Sequence, residues 1–379
     1  MPEIKLMIVE DAESDLKVCR DSVETYQQKK NDEGVDLTFE LIECKTVDDA
    51  LDKIDGSFDG AIVDLKFSDG DDRGKDVLVK IKDSFFRIPV IILTGTPDSI
   101  GEEEKSDLVK VLKKGEADYQ KDILDVFFEI YNTGLTRIMG GRGKIEQTLN
   151  EVFLKNLLPQ LTDWKIYGKA DPSRTEKALL RFTLNHLVQI LDDDEDQCFP
   201  EEVYIFPPLS KGLKTGSIVR KREGEDLYVV LSPSCDLVVR NGGQINTDRI
   251  LLVGIDMEQK VYGYRFKKID EDNTITPEEK IDRKKSILNA AFTNRYTLYH
   301  HWLPKTSFFS GGFVNFRKLS ALSKKECRKN FEEPHIQISP HFVKDILSRF
   351  SSYYARQGQP DIERNKIIDE VVFLSGETE

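Results

Sequence analysis

Four short apolar runs in this 379-residue chain end in residues that could do chemistry. KLMIV (5–9) ends in Glu10 and Asp11, GAIVDL (60–65) carries Asp64, IPVIILTG (88–95) ends in Thr94 and Gly95, and LVKVLKK (108–114) ends in Lys113 and Lys114. If the runs are parallel strands of one sheet, these ends share a crevice, because ligands of open α/β sheets sit outside the carboxyl ends of the strands. Three carboxylates there repel one another unless a cation joins them. Hard oxygen donors in that number suit Mg²⁺, which commonly takes one or two carboxylates plus phosphate oxygens. A carboxylate beside such an ion can attack a phosphoryl group and form an aspartyl phosphate. A lysine and a hydroxyl can offset the charge of the transition state.

The elements between these runs support the arrangement. Residues 13–29 have helical spacing, with Leu16, Cys19, Val23 and Tyr26 on one stripe. LTFELIEC (37–44) is expected as a strand, 46–54 as a short helix opened by Thr46, 74–84 as a helix and 122–134 as an amphipathic helix. Strands alternating with helices predict an α/β fold with a five-stranded parallel, doubly wound sheet. Runs 60–65 and 88–95 are almost wholly apolar, as strands buried on both faces must be.

The segments VED (9–11), IVDL (62–65), ILTGT (92–96) and VLKK (111–114) together resemble the response-regulator receiver domain, of flavodoxin-like fold, over residues 1–138. The resemblance implies that Asp64 accepts the phosphoryl group and that Asp11, Asp64 and the backbone carbonyl of Lys66 ligate Mg²⁺, with Glu10 acting through water. It further implies that Thr94 binds a phosphoryl oxygen and that Lys113 pairs with the same group. The proline usual after the family's lysine is absent, so Lys114 is the alternative. Lys110 stands three before Lys113, where the family often has an aromatic residue. The segment after Asp64, LKFSDGDDRG, is longer and more acidic than usual, with Asp69, Asp71 and Asp72.

MGGRGK (139–144) is expected as a flexible hinge, 145–200 as a helical connector, and 201–379 as an α+β module with a small antiparallel sheet or barrel at 201–268. VYIFPP, GSIVRK, LYVVLSPSCDLVV, RILLVGID and VYGYRF are its expected strands. A polar helix is expected at 277–294, strand-like pieces at 296–303 and 311–319, and a last helix with Ser339 as N-cap and Pro340 at its first position.

The charge of −13 is unevenly spread. Residues 1–139 hold 19 Lys+Arg and 33 Asp+Glu, whereas the remaining 240 hold 36 and 35. No basic face of the kind that binds nucleic acid stands out, and no helix-turn-helix, nucleotide-cyclase, kinase or P-loop motif follows residue 145. No apolar stretch reaches the roughly 18 residues of a membrane span, and no secretory signal opens the chain, so a cytoplasmic protein is expected. Five scattered cysteines form no CxxC pair, which argues against a disulfide framework or a zinc site.

These features point to a signalling protein and not an enzyme beyond self-catalysed phosphotransfer at Asp64. It would take its phosphoryl group from a histidine kinase and relay or absorb it, with a further effector protein as a second partner. The C-terminal module is similar to uncharacterised regions beside receivers in anti-phage defence loci, including Detocs-type phosphorelays, on SPSCDL (232–237) and RFSSYYARQGQPD (349–361). The rival readings are an enzyme using Cys235 with His300 or His301, gated by phosphorylation, and a transcription factor. For Cys235 the bland alternative is a small buried cysteine at a strand end.

Overall fold

The computed structural model describes residues 3–65, 67, 73–84, 86–97, 100–101, 107–189, 197–239, 245–356 and 362–376. It divides into two compact units, residues 1–195 and 196–379.

In the first unit, β1 (Glu3–Val9), β2 (Thr38–Cys44), β3 (Gly60–Asp64), β4 (Val90–Thr94) and β5 (Val109–Lys113) form one sheet of order β2-β1-β3-β4-β5. Every pair is parallel. Side chains alternate between the faces, so each central strand feeds two cores. Ile4, Leu6, Ile8, Ile62, Ile91 and Leu93 pack with Leu16, Cys19, Val23 and Tyr26 of α1 (Glu13–Asp32). Met7, Val9, Val63, Val90 and Ile92 pack with α2 (Val47–Lys53) and α3 (Gly74–Asp83) through Val47, Ala50, Val77 and Ile81. Thr46 caps α2, as its residue type predicts, by accepting the Asp49 N–H at 3.1 Å. Among the described residues no helix lies between β4 and β5.

After β5 the chain makes a wide helical turn over Tyr119–Leu124, opened by the Asp118 side chain, and continues as α4 (Asp125–Asn132) and α5 (Leu135–Met139). The Gly-rich segment that follows is docked, not free. The Gly141 N–H donates to the Gly56 carbonyl at 2.6 Å, and Arg142 pairs with the nearly buried Asp59 at 2.9 Å. A Cβ on Gly141 would stand 2.6 Å from the Gly56 carbonyl group. Within the stretch 139–144, expected as a hinge, Gly141 thus permits close approach of two backbone segments. Beyond it, α6 (Lys144–Val152), α7 (Leu161–Ala170) and α8 (Pro172–Gln189) belong to the same unit, with Trp164 packed edge-on against Phe182.

The second unit carries a seven-stranded antiparallel sheet of β6 (Tyr204–Ile205), β7 (Ser217–Arg220), β8 (Leu227–Val230), β9 (Ile250–Asp256), β10 (His300–Leu303), β11 (Gly312–Leu322) and β12 (Ile336–Ile338). Its order is β10-β11-β9-β8-β7-β12-β6. It curls far enough that the Tyr204 hydroxyl, on the β6 edge, donates to the Pro304 carbonyl just past β10 at 2.7 Å. The strand-like pieces expected at 296–303 and 311–319 join this sheet as β10 and β11. Five helices accompany it: α9 (Ser234–Leu237), α10 (Glu258–Glu271), α11 (Pro277–Phe292), α12 (Lys324–Asn330) and α13 (Pro340–Ala355). A further helix, α14 (Asn365–Gly376), follows. Capping boxes open α11 at Thr276 and α12 at Ser323. Ser339 and Pro340 open α13 as expected, and Val343 and Ile346 bury its apolar face against the sheet.

One expected strand is a helix. VYGYRF lies within α10, where the four-residue spacing of Tyr262 and Phe266 sets both rings beside Phe313 of β11 and leaves Tyr264 in solvent. The apparent alternation arose because the solvent-facing Tyr264 falls between Tyr262 and Phe266, two residues of one helical stripe.

Candidate functional site

Asp64 is the last residue of β3, the central strand of the parallel sheet, and is 5% exposed. Thr94 ends the neighbouring β4 and is wholly buried. Glu10, just past β1, is also buried; its backbone donates to the Cys44 carbonyl, and its Oε1 accepts the Ala12 N–H at 3.0 Å. The topology therefore brings Glu10, Asp64 and Thr94 to one end of the sheet, with Asp11 beside Glu10 in the loop after β1. Lys66, Asp69, Asp71 and Asp72 lie outside the described residues.

The lysine is where the sequence expectation and the geometry part. Lys113 is still a strand residue, paired in register with Thr94, and its side chain turns outward to Glu116. Lys114 is the first residue past β5 and donates its N–H to the Thr94 carbonyl at 3.0 Å. Its Nζ lies 2.7 Å from Glu10 Oε2 and 2.7 Å from Asp64 Oδ2. It lies equally close, at 2.7 Å, to Asp15 Oδ2. The structure thus brings Lys114, not Lys113, to the site. Counted from Lys114, the residue three before is Val111, which packs partly buried beneath the sheet. Asp15 escaped the sequence analysis because it sits on a helix and not at a strand end. The available signal was an acid in the first turn of α1, four residues after Asp11.

Burial raises the Glu10 carboxyl above the usual range, and the Lys114 ammonium partly offsets that rise. Burial opposes the charge of Lys114, yet its hydrogen bonds to Asp15, Asp64 and Glu10 outweigh it and hold the ammonium firmly protonated. Thr94 Oγ1 accepts the Thr96 N–H at 3.2 Å. One ammonium faces three carboxylates, so the crevice keeps a net negative charge. Among the described residues no three acid, imidazole or thiol groups form a ready-made cage for a metal. Two carboxylates completed by main-chain and water oxygens are what Mg²⁺ ordinarily accepts, and the donor set fits that ion.

The second unit does not assemble its suspected catalytic set. Cys235 lies in α9, shortly after β8, and is exposed, not buried. His300 and His301 lie on β10, three strands from β8 or roughly 14 Å across the sheet. The two imidazoles point to opposite faces. His300 stands 3.5 Å from Asp256, which is also held by Lys318 and Asn315. His301 lines a cavity of about 320 Å³ with Val203, Leu303 and Phe342, its Nδ1 3.7 Å from Asp345. Burial, and then the Arg349 charge, push the His301 imidazole down to about 3.

A parallel sheet of order β2-β1-β3-β4-β5 is the flavodoxin-like arrangement, and an acid, a hydroxyl and an ammonium stand at its carboxyl end. Residues 3–139 have the receiver fold. No family model matches the chain, and no curated protein does. Among solved structures, the chain is similar to the N-terminal domain of a response regulator/sensory box/GGDEF 3-domain protein from Carboxydothermus hydrogenoformans. That likeness has 23% identity, covers 35% of this chain and 93% of the other, and has a TM-score of 0.25. It is also similar to the receiver domain of the Francisella response regulator 1452, with 16% identity, 34% and 98% coverage and a TM-score of 0.24. A CheY-like receiver domain from Methylobacillus flagellatus gives 16%, 34% and 98%, and 0.24. No helix among the described residues is long and apolar enough to cross a membrane.

Proposed function

We propose that this protein is a two-component response regulator that accepts a phosphoryl group on Asp64. The observation that carries the reading is the buried Asp64 carboxylate at the end of the central strand, with the Lys114 ammonium 2.7 Å away and Glu10 on the same ammonium. An Asp64 oxygen attacks phosphorus, and the bond from phosphorus to the donor, a phosphohistidine of a histidine kinase, breaks. Lys114 donates to the incoming phosphoryl oxygens, and the hydroxyl of Thr94, at the end of the neighbouring strand, donates as well. Mg²⁺ bound at Asp11 and Asp64, with Glu10 behind it through water, would neutralise charge on the phosphoryl oxygens when present. Fixing these groups on the ends of rigid strands supplies the orientation that the transfer needs.

The protein relays or absorbs phosphate in the cytosol, and residues 196–379 serve as an interaction module. The separation of Cys235 from the histidines supports that role over an enzyme. The SPSCDL and RFSSYYARQGQPD segments support a setting in anti-phage defence; residues 357–361 of the latter lie outside the described residues. The test is labelling by acetyl phosphate with Mg²⁺. Wild type should gain one phosphoryl group and Asp64→Asn none; a variant that labels as well as wild type would remove Asp64 as the acceptor.

A further inference from the structure

Asp15 belongs to neither strand end, yet it shares the site's cation. An ammonium has three N–H donors. Lys114 meets three carboxylate oxygens, on Glu10, Asp15 and Asp64, each at 2.7 Å. Two of those acids have a second task in the proposed reaction: the Asp64 oxygen bonds to phosphorus, and Glu10 would help to hold Mg²⁺ when the ion is bound. Asp15 does neither. It stands on the first turn of α1, and the buried Leu16, Cys19, Val23 and Tyr26 fix that helix against the sheet.

We infer that Asp15 is a positioning residue that holds the Lys114 ammonium over Asp64 while Glu10 and Asp64 are engaged elsewhere. The inference rests on the reading that Asp64 takes the phosphoryl group. As Asp64 attacks, the bond between phosphorus and the leaving group breaks, and the donor of Lys114 that had served Asp64 becomes available to a phosphoryl oxygen. A lysine has a long flexible stem, and without an anchor its head would wander as its other two partners turn away. Asp15 keeps the donor aimed before the reaction begins, which is the condition for electrostatic catalysis without reorganisation. It has a second effect on the same ammonium. By taking a share of the Lys114 charge, it reduces the opposition of that charge to a dication at Glu10 and Asp64.

The experiment uses the full chain, radiolabelled acetyl phosphate and a Mg²⁺ titration, with Asp15→Ala, Asp15→Asn and Asp15→Glu beside wild type and Asp64→Asn. If wild type does not label, the parent reading fails, and the inference falls with it. If wild type labels and Asp64→Asn does not, the Asp15 variants decide separately. Asp15→Ala should label about tenfold more slowly, inside the up to hundredfold loss expected when a reacting geometry is disturbed. It should also need more Mg²⁺ for half-maximal rate. Asp15→Asn should fall between, and Asp15→Glu should recover most of the rate, because it restores a carboxylate that can reach Lys114. Wild-type rate and Mg²⁺ dependence in Asp15→Ala would overturn the inference. So would equal slowing in the Ala and Glu variants, which would mean that the shape of the helix end matters and the carboxylate does not.

Discussion

Replacing Lys114 by alanine should separate it from Lys113 on stability alone. The substitution leaves the buried Glu10 and Asp64, and the partly exposed Asp15, without their common cation. Breaking a buried ion pair by removing one partner costs about 3–5 kcal/mol. The Lys114 side chain is 28% exposed, and Asp15 is more open still, so water screens part of the charge left behind. The expected loss is therefore ~2–3 kcal/mol. For a unit of this size that is roughly 5–10 °C in the midpoint. Lys113 is half exposed and pairs with the exposed Glu116, so Lys113→Ala should cost ~0–1 kcal/mol. The assay is calorimetry of the full chain with and without Mg²⁺, in which the transition of the first unit is the one that moves with the ion. Mg²⁺ at a hundredfold over the wild-type Kd adds about 2.7 kcal/mol to wild type, and at that same concentration the gain should be larger in Lys114→Ala, where no ammonium competes for the carboxylates. Equal losses in the two variants, or an equal Mg²⁺ response in Lys114→Ala and wild type, would refute the placement of Lys114 at the centre of the site.

Two further outcomes follow from the packing. His301 is held neutral in the fold down to about pH 3, while an unfolded histidine protonates near 6.5. The unfolded state thus binds the extra proton between those values, and stability should fall as pH drops from 6.5 towards 3, by up to ~1.4 kcal/mol per unit. His301→Gln should flatten that slope in urea unfolding followed across pH, and an unchanged slope would remove His301 as its source. Gly141→Ala should destabilise the first unit by about 1–3 kcal/mol, since the new Cβ meets backbone that cannot rotate away. It should also make the peptide bond after Arg142 a site of faster tryptic cleavage than in wild type; cleavage of wild type there at the same rate would show that the segment is not docked.

The receiver fold was legible because a parallel sheet writes itself twice in the sequence. Its central strands are continuous apolar runs, and its chemistry collects at their ends, so Glu10, Asp64 and Thr94 could be placed without coordinates. The active lysine could not, because Lys113 and Lys114 are identical in type and only the register of β5 with Thr94 decides which one leaves the strand. Asp15 was hidden for a related reason: its contact with Lys114 joins residues 99 positions apart through the tertiary fold. The glycines at 140–143 carry a signal that is ambiguous in principle, since the missing Cβ serves flexibility and close approach equally well. In the second unit, short strands separated by long helices gave weak local patterns. The pairing of β12 with β6 and β7 depends on partners more than a hundred residues away.

The side chains that β5 turns to solvent have a consequence apart from chemistry. β5 closes one side of the parallel sheet, and among the described residues β4 is its only strand neighbour, so the outer row of its peptide groups has no strand partner there. Such a border is a template on which another chain can add, and lysines along it are a common deterrent. Lys110 and Lys113 occupy the two exposed positions of this strand. The lysine that the chemistry passes over thus lies on the border of the sheet, where its charge opposes the addition of another chain.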